Sequence, residues 1–392
     1  MQDPSAQTNG VTVDRITLSA IGPDTDMVTF GTHLGPMHEA MIIANLRLSN
    51  GVEAIAGLTT YTEHEFDMTA FSSAVLMAPF VLGKSVFDIP KIYQDMRARY
   101  VPLGHIATSL FDIALHDGKA KTLGVPIYKM LGAARDSISA YASCPLLASD
   151  EAYVEFCKDR VAQGYRAIKI HPYGQIEDDV RLVQRLTDSF SGQSVRWNLD
   201  AEGAYSPVQA LRMGRLLDGL DWEFFEAPMP DSNLLGYKSL ADAVDIDVLS
   251  SGNGIPDLHL IQLALQMGAW DRTRFDVTSI GGFTGGLAAM AATRAHGLRG
   301  ELQSWGYTLT QAANLHLLLS QTNCDYFEQA APFEAYEFGA KQVFRPDAHG
   351  HVRANDLPGL GVEMDWDVLT PRIYASREFG LSLLAKTSST GA

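Results

Sequence analysis

Cysteine is scarce in this 392-residue chain: Cys144, Cys157 and Cys324 stand far apart, with no CxxC spacing. Neither a disulfide framework nor a thiolate zinc site is indicated, and a reducing cytoplasm is the expected compartment. Long apolar runs are missing as well, none approaching the ~18 residues that a membrane-spanning helix needs. Residues 1–10 are polar and carry Asp3, without the basic and apolar regions of a secretory leader. Positive charge is also in short supply, with 30 Lys and Arg against 46 Asp and Glu and a formal charge of −16. No basic block departs from this balance, so neither nucleic acid nor a membrane surface is an expected partner. Low-complexity linkers are absent too.

What the chain does have is length and a repeating pattern. Single hydrophobic cores stop growing at roughly 250–300 residues, so two lobes are expected. From about residue 138 the sequence alternates strand-like and helix-like segments every 25–30 residues or so, the pattern of a parallel sheet covered by helices. Strands are predicted at 138–144, 166–171, 195–200, 222–226, 246–250, 274–279, 300–304 and 325–328. The helices between them show apolar spacing such as Ala210, Met213, Leu217 and Leu220, and starts such as Ser206-Pro207 and Ile255-Pro256. Eight parallel strands with seven crossover helices close most naturally into a barrel. Upstream, extended segments such as Ala40–Leu48 precede a helical stretch at 108–123, an α+β pattern. The expected division is an N-terminal α+β capping domain at 1–135, a (β/α)7β TIM-type barrel at 136–345, and a segment at 346–392 that folds back on the cap.

Barrel chemistry sits at the C-terminal ends of the strands. The polar residues there are Lys169, His171, Asp200, Glu202, Glu226, Asn253, Asp276, Gln303 and Glu328. Asp200, Glu226 and Asn253 close three successive strands, 26 and 27 residues apart, so one βα unit separates each pair. Singly, such residues commonly cap helices or face solvent; three in equivalent positions predict oxygen ligands for a hard cation, Mg²⁺ before others. Lys169 and His171 are two apart on one strand and share a face, which sets a cation beside a base. Lysine and metal together are expected to lower the His171 pKa and keep it neutral. His105, His116, His259, His296 and His316 fall in helical stretches and read as structural. Gly281-Gly282 is too short a glycine signal for phosphate binding.

Several segments, in order, resemble the enolase superfamily and its mandelate racemase/muconate lactonizing enzyme branch. They are Leu199-Asp200-Ala201-Glu202-Gly203-Ala204-Tyr205, Phe225-Glu226-Ala227-Pro228, Phe111-Asp112-Ile113-Ala114-Leu115, Gly124-Val125-Pro126 with Leu131-Gly132, and Pro358-Gly359-Leu360-Gly361. The resemblance implies Mg²⁺ held by Asp200, Glu226 and Asn253, Glu328 hydrogen-bonded to a substrate carboxylate, and cap loops at about 21–37 and 59–63 closing over the site. His33, His38, Tyr61 and Trp305 become substrate-contact candidates.

The departures from the family pattern carry as much information. The family's Lys-x-Lys is here Lys169-Ile170-His171, which makes His171 the base by position and Lys169 the tuning charge. Asn253 replaces a glutamate, and Glu202, where the family often has asparagine, is an alternative completion of the metal site. Gln303-Ser304-Trp305-Gly306 replaces a histidine-bearing stretch, while that histidine's usual partner remains as Asp276. Glutamine does not exchange protons near neutral pH, so two-base racemisation is disfavoured. The expected activity is Mg²⁺-assisted removal of a proton α to a carboxylate, foremost the dehydration of an acid sugar or other hydroxy-carboxylate. A one-base isomerase, either a cycloisomerase or an epimerase, is the alternative, and a binding protein that has lost turnover is the third reading. A small carboxylate substrate and a homo-oligomer are the expected partners.

Overall fold

The computed structural model describes residues 10–22, 32, 38–60, 64–99, 104–254 and 256–381. The chain opens with three antiparallel strands, β1 (Val13–Ile21), β2 (Ala40–Leu48) and β3 (Glu53–Thr60). Helices α1 (His64–Met77), α2 (Ile89–Arg97), α3 (His105–Leu123) and α4 (Ile127–Met130) follow. Nearly every β2 residue is buried, because one face of the sheet packs on α3 and the other lies against the rest of the molecule. α3 is itself buried along most of its length, which explains why its sequence reads as apolar with little amphipathic contrast.

Eight strands form the second part: β4 (Ile138–Cys144), β5 (Ala167–Ile170), β6 (Arg196–Asp200), β7 (Phe224–Glu226), β8 (Asp247–Leu249), β9 (Arg272–Phe275), β10 (Arg299–Leu302) and β11 (Tyr326–Ala330). Seven helices alternate with them: α5 (Asp150–Ala162), α6 (Ile176–Ser189), α7 (Pro207–Gly219), α8 (Leu234–Ala241), α9 (Leu258–Met267), α10 (Gly282–Ala295) and α11 (Thr308–Ser320). The parallel order β11-β4-β5-β6-β7-β8 is one arc and β9-β10 a second. The arcs are stitched at both seams, by Asp271 N–H to Val248 O at 2.8 Å and by Gly300 N–H to Asn323 O at 2.7 Å. This is the α/β architecture anticipated, with all strands but one where the alternation places them.

One strand is displaced from its expectation. The segment predicted at 274–279 is β9 at Arg272–Phe275, and Asp276 begins a turn. Arg272-Thr273-Arg274 lacks the apolar signature of a barrel strand, yet Arg272 and Arg274 are both buried and charge-paired inside. Local helix signals mostly hold: Ser206 and Gln209 form a reciprocal capping box at the start of α7, with Pro207 at the first turn. α9 is instead capped by Asp257, whose side chain accepts from His259 N at 2.8 Å; Ile255 lies outside the described residues.

The C-terminal segment returns to the first lobe. β12 (His351–Val352) pairs with β4, and β13 (Ile373–Gly380) pairs antiparallel with β1, giving the cap sheet the order β13-β1-β2-β3. Buried Asp117 on α3 fastens this return by accepting from Leu360 N at 2.7 Å and Ile55 N at 2.8 Å. Gly282 has a packing role: a Cβ there would sit 2.4 Å from Asp112 Oδ1, the carboxylate that receives Thr284 N and Oγ1 and joins α3 to α10. Among the described residues no helix is long and apolar enough to cross a membrane.

The seam between cap and barrel contains a titrating carboxyl. Glu39 is buried against Tyr336 Oη at 3.1 Å, and Tyr336 in turn receives Trp305 Nε1 at 2.7 Å. Burial pushes the Glu39 carboxyl up to about 7, against the pull of its hydrogen bonds. An acid with a raised folded-state pKa contributes stability that is complete below its unfolded value and lost as pH rises through the folded one. E39Q should therefore gain stability relative to wild type, on the order of 3 kcal/mol at most, between about pH 5 and about pH 8. Urea midpoints at the two pH values check this; an unchanged difference would show that Glu39 keeps its ordinary titration.

Candidate active site and metal centre

The barrel mouth is built around Lys169. Alternation along β5 turns Lys169 and His171 inward while Ile168 and Ile170 face the helices. Lys169 Nζ lies 2.9 Å from Asp200 Oδ2, 2.9 Å from Glu226 Oε2 and 2.8 Å from Glu328 Oε1. An ammonium has three donors, and here all three meet carboxylates. Burial and Arg274 act against the charge on Lys169, but the three carboxylates prevail and raise its pKa. Lys169 is thus a fixed cation and not a base.

His171 is buried at the rim. Its Nδ1 lies 2.6 Å from Cys144 O, which fixes Nδ1 as the donor and turns Nε2 toward Asp200 Oδ2 at 3.0 Å and Glu202 Oε1 at 3.5 Å. The Trp305 ring meets it edge-on at 5.9 Å. Burial would lower the His171 pKa, but the charge of Asp200 and the hydrogen bonds of Asp200 and Glu202 raise it to about 10, overriding Lys169. The lowering expected from Lys169 and a metal together concerns the cation-loaded site; the protein groups by themselves act the other way, because two carboxylates are nearer to the imidazole than the sequence order suggests.

A second cation was not anticipated. Arg274 on β9 points into the barrel and is buried; its Nε lies 2.6 Å from Glu226 Oε1, a charge contact rather than an aligned hydrogen bond. Its Nη2 donates to Glu328 Oε2 at 2.8 Å and its Nη1 to Tyr141 Oη at 3.3 Å. The available signal was alternation: Arg274 is two residues before Asp276 and shares its face. With the strand expected at 274–279, Arg274 stood at its start, far from the mouth.

Glu328 accepts from Arg274, from Lys169 and from the backbone N–H of Ser304 at 3.1 Å. Burial works against ionisation, yet the two cations hold its carboxyl down at about 2. Asp200 is driven well below the usual carboxylate range in spite of its burial, chiefly by Lys169 and His171. Its Oδ1 accepts the backbone N–H of Glu202 at 3.1 Å and pins Glu202 in a left-handed conformation with φ 49°.

The other expected residues lie apart from this cluster. Asn253 is exposed on the loop after β8, its backbone N–H donating to Ser251 Oγ at 3.1 Å. Asp276 accepts from Thr278 N at 2.7 Å, Thr278 Oγ1 at 2.6 Å and Asn314 Nδ2 at 2.8 Å. Gln303, adjacent in register, bonds through its backbone to Phe275 O at 3.0 Å, while its side-chain Oε1 is buried without a protein partner. His33 and Tyr61 lie outside the described residues, and His38 is exposed. From the cap loop, Thr32 reaches the Tyr173 carbonyl through N at 3.2 Å and Oγ1 at 2.5 Å, two residues beyond His171.

Two family models cover this architecture: the mandelate racemase/muconate lactonizing enzyme N-terminal domain over residues 18–132 and the enolase C-terminal domain-like model over residues 152–368. The chain belongs to the mandelate racemase/muconate lactonizing enzyme family. A solved protein from Pseudovibrio sp., provisionally assigned as a mandelate racemase/muconate lactonizing enzyme, is 34% identical with a TM-score of 0.92, over 95% of this chain and 100% of that one. L-Lys-D/L-Arg epimerase of Methylococcus capsulatus is 25% identical over 289 residues, 72% of this chain and 79% of the epimerase. L-talarate/galactarate dehydratase, solved as a variant liganded with Mg and L-glucarate, shares the fold at TM-score 0.85 and 22% identity, over 97% of this chain and 96% of that one. Acid-sugar dehydratases, epimerases and a cycloisomerase all occur among the relatives, and members of the superfamily use Mg²⁺.

The residues at this mouth fit such a cation. His171, Asp200 and Glu202 each offer a ligand atom, all within 4.8 Å of one another. Two are carboxylate oxygens, the donors a hard divalent cation prefers.

Proposed function

We propose that this family member removes a proton α to the carboxylate of a small hydroxylated acid, with His171 as the base, and that loss of a β-hydroxyl follows. The observation that carries this reading is the orientation of His171: Cys144 O holds Nδ1, so Nε2 alone faces the mouth beside Asp200 and Glu202. Lys169 is excluded as base by its three carboxylate partners. Asp200 and Glu202 would hold Mg²⁺, whose contribution when bound is Lewis acidity toward the substrate carboxylate. Those two anions are also the ones that retain a proton on His171, so committing them to a cation leaves Nε2 ready to accept one.

His171 takes the α-proton at Nε2, and the resulting imidazolium can return it to the departing hydroxyl on the same face, releasing water. Lys169 and Arg274 are the fixed cations at the floor of the site, each ion-paired to protein carboxylates. Gln303 stands just past β10, where a second proton-exchanging group would be needed for racemisation, and its unpartnered Oε1 suits a substrate hydroxyl better than a reacting carbon. These features favour dehydration over two-base epimerisation.

Incubating the protein with Mg²⁺ and a panel of aldonates and aldarates should produce a 2-keto acid from at least one of them. α-Deuterium exchange without loss of water would instead support the one-base isomerase. A second reading has its own support, since the donors of Lys169 are all spent on protein carboxylates: a binding protein without turnover. Saturable binding of an acid sugar with neither exchange nor keto acid would favour it and sink the proposed reaction.

A further inference from the structure

The capping domain reaches the His171 imidazole through a chain of side chains. The bond from Nδ1 to Cys144 O at 2.6 Å fixes the tautomer, but a ring held at one atom can still pivot, because the terminal torsion of histidine is broad. Asp200 and Glu202, which face Nε2, are the groups that the proposed reaction commits to a cation. The Trp305 ring meets the imidazole edge-on, with centroids 5.9 Å apart and planes at 86°, and is the wall that limits the pivot.

Trp305 is set in turn by contacts that leave the barrel. Its Nε1 donates to Tyr336 Oη at 2.7 Å, and Tyr336 donates its own hydroxyl hydrogen to Glu39 Oε1 at 3.1 Å. Glu39 is the residue before β2, in the cap. The same loop is clasped again two residues on, where Tyr307 Oη donates to Glu39 O at 3.1 Å and Tyr307 N to Thr59 Oγ1 at 2.9 Å. Between these points lies Gly306, with φ 145°; a Cβ there would sit 2.5 Å from Thr59 Oγ1, so β3 of the cap presses directly on the neighbour of Trp305.

Glu39 differs from the other carboxylates buried in the cap. Asp112 and Asp117 accept backbone N–H groups, of Thr284, and of Leu360 and Ile55, and so fasten chain to chain. The hydrogen bonds at the Glu39 carboxyl come from the side chains of Tyr336 and Trp305, which lead on to His171. A seam that served stability alone would be better filled by an apolar side chain, since burying a carboxyl is costly.

Resting on the reading of His171 as base, we propose that Glu39 is a positioning residue: acting from the cap through Tyr336 and Trp305, it holds the indole wall that keeps His171 Nε2 aimed into the mouth. Glu39 itself touches neither the base nor the reacting atoms. What the chain needs from it is an acceptor oxygen, and an amide supplies one as a carboxyl does.

Two measurements on the full-length protein test this. In protein carrying isotope-labelled histidine, the His171 ring signal, recognised by its loss in H171A, should be displaced or split in E39L and in Y336F and stay in place in E39Q. This measurement needs no substrate. In the second, kcat for α-deuterium exchange into a reactive hydroxy-acid should fall about tenfold or more in E39L and Y336F with KM within about twofold, while E39Q stays within about threefold of wild type. The double variant E39L/Y336F should lose no more than the worse single one, because both break one chain. A lowered urea midpoint in E39L with kcat and the His171 signal unchanged would make Glu39 a seam contact only and overturn the proposal. A raised KM at unchanged kcat would overturn it too, by pointing to direct substrate contact. Should E39L fail to fold by circular dichroism, Y336F, which loses only a hydroxyl, decides by the same criteria. A His171 signal displaced as expected, in a protein whose wild type exchanges no α-proton, would overturn the proposed reaction and leave the positioning role standing.

Discussion

His171→Ala should reduce α-deuterium incorporation into a reactive hydroxy-acid by about 10²-fold or more, the usual contribution of a positioned general base. Among the described residues, Lys169 is locked as an ammonium, and Asp276 is engaged by Thr278 and Asn314. Gln303 has no proton to exchange. The substitution removes a ring that packs edge-on against Trp305 and leaves the Cys144 carbonyl without its donor, so near-ultraviolet circular dichroism must first show that the barrel is intact. Exchange persisting at the wild-type rate in a folded H171A protein would transfer the role to another group and invalidate the proposed mechanism.

Lys169→Met should be the most destabilising single change at the site, lowering the unfolding free energy by about 3–5 kcal/mol. The side chain is fully enclosed, and its removal leaves Asp200, Glu226 and Glu328 facing one another with Arg274 as the nearest remaining fixed cation. Methionine replaces the volume but none of the charge. Urea denaturation at neutral pH measures the loss, and a change below about 1 kcal/mol, the range of an exposed ion pair, would mean that the three contacts contribute little. Added divalent cation should recover part of the loss, because ligand bound only by the folded state stabilises it.

Much of the site can be read from spacing alone. Asp200 and Glu226 close strands one βα unit apart, and the two-residue step from Lys169 to His171 puts both on one face, so a parallel barrel must bring them together. Glu328 was legible for the same reason, closing the last strand beside the first. Arg274 was hidden because buried arginines contradict the apolar pattern by which strands are recognised, so the predicted strand, 274–279, only began at Arg274 and set it at the end away from the mouth. Which protein charge faces the His171 imidazole most closely was also beyond the sequence. The choice lies between Lys169, two residues away along the chain, and Asp200 and Glu202 at the end of the neighbouring strand, and the imidazole turns toward the latter.

The sequence by itself determined the family, the order of the strands, and which residues stand at their ends, because these follow from periodicity and from motifs that are local in the chain. Only the tertiary structure decided how the charges are shared. Electrostatic pairing depends on distances of a few ångströms across the barrel axis, between side chains up to 159 positions apart in the case of Lys169 and Glu328. No local pattern encodes which carboxylate an internal arginine reaches. Arg274 reaches Glu226, Asn253 is exposed on its loop, and Asp200 has Glu202 as its neighbour in the cluster.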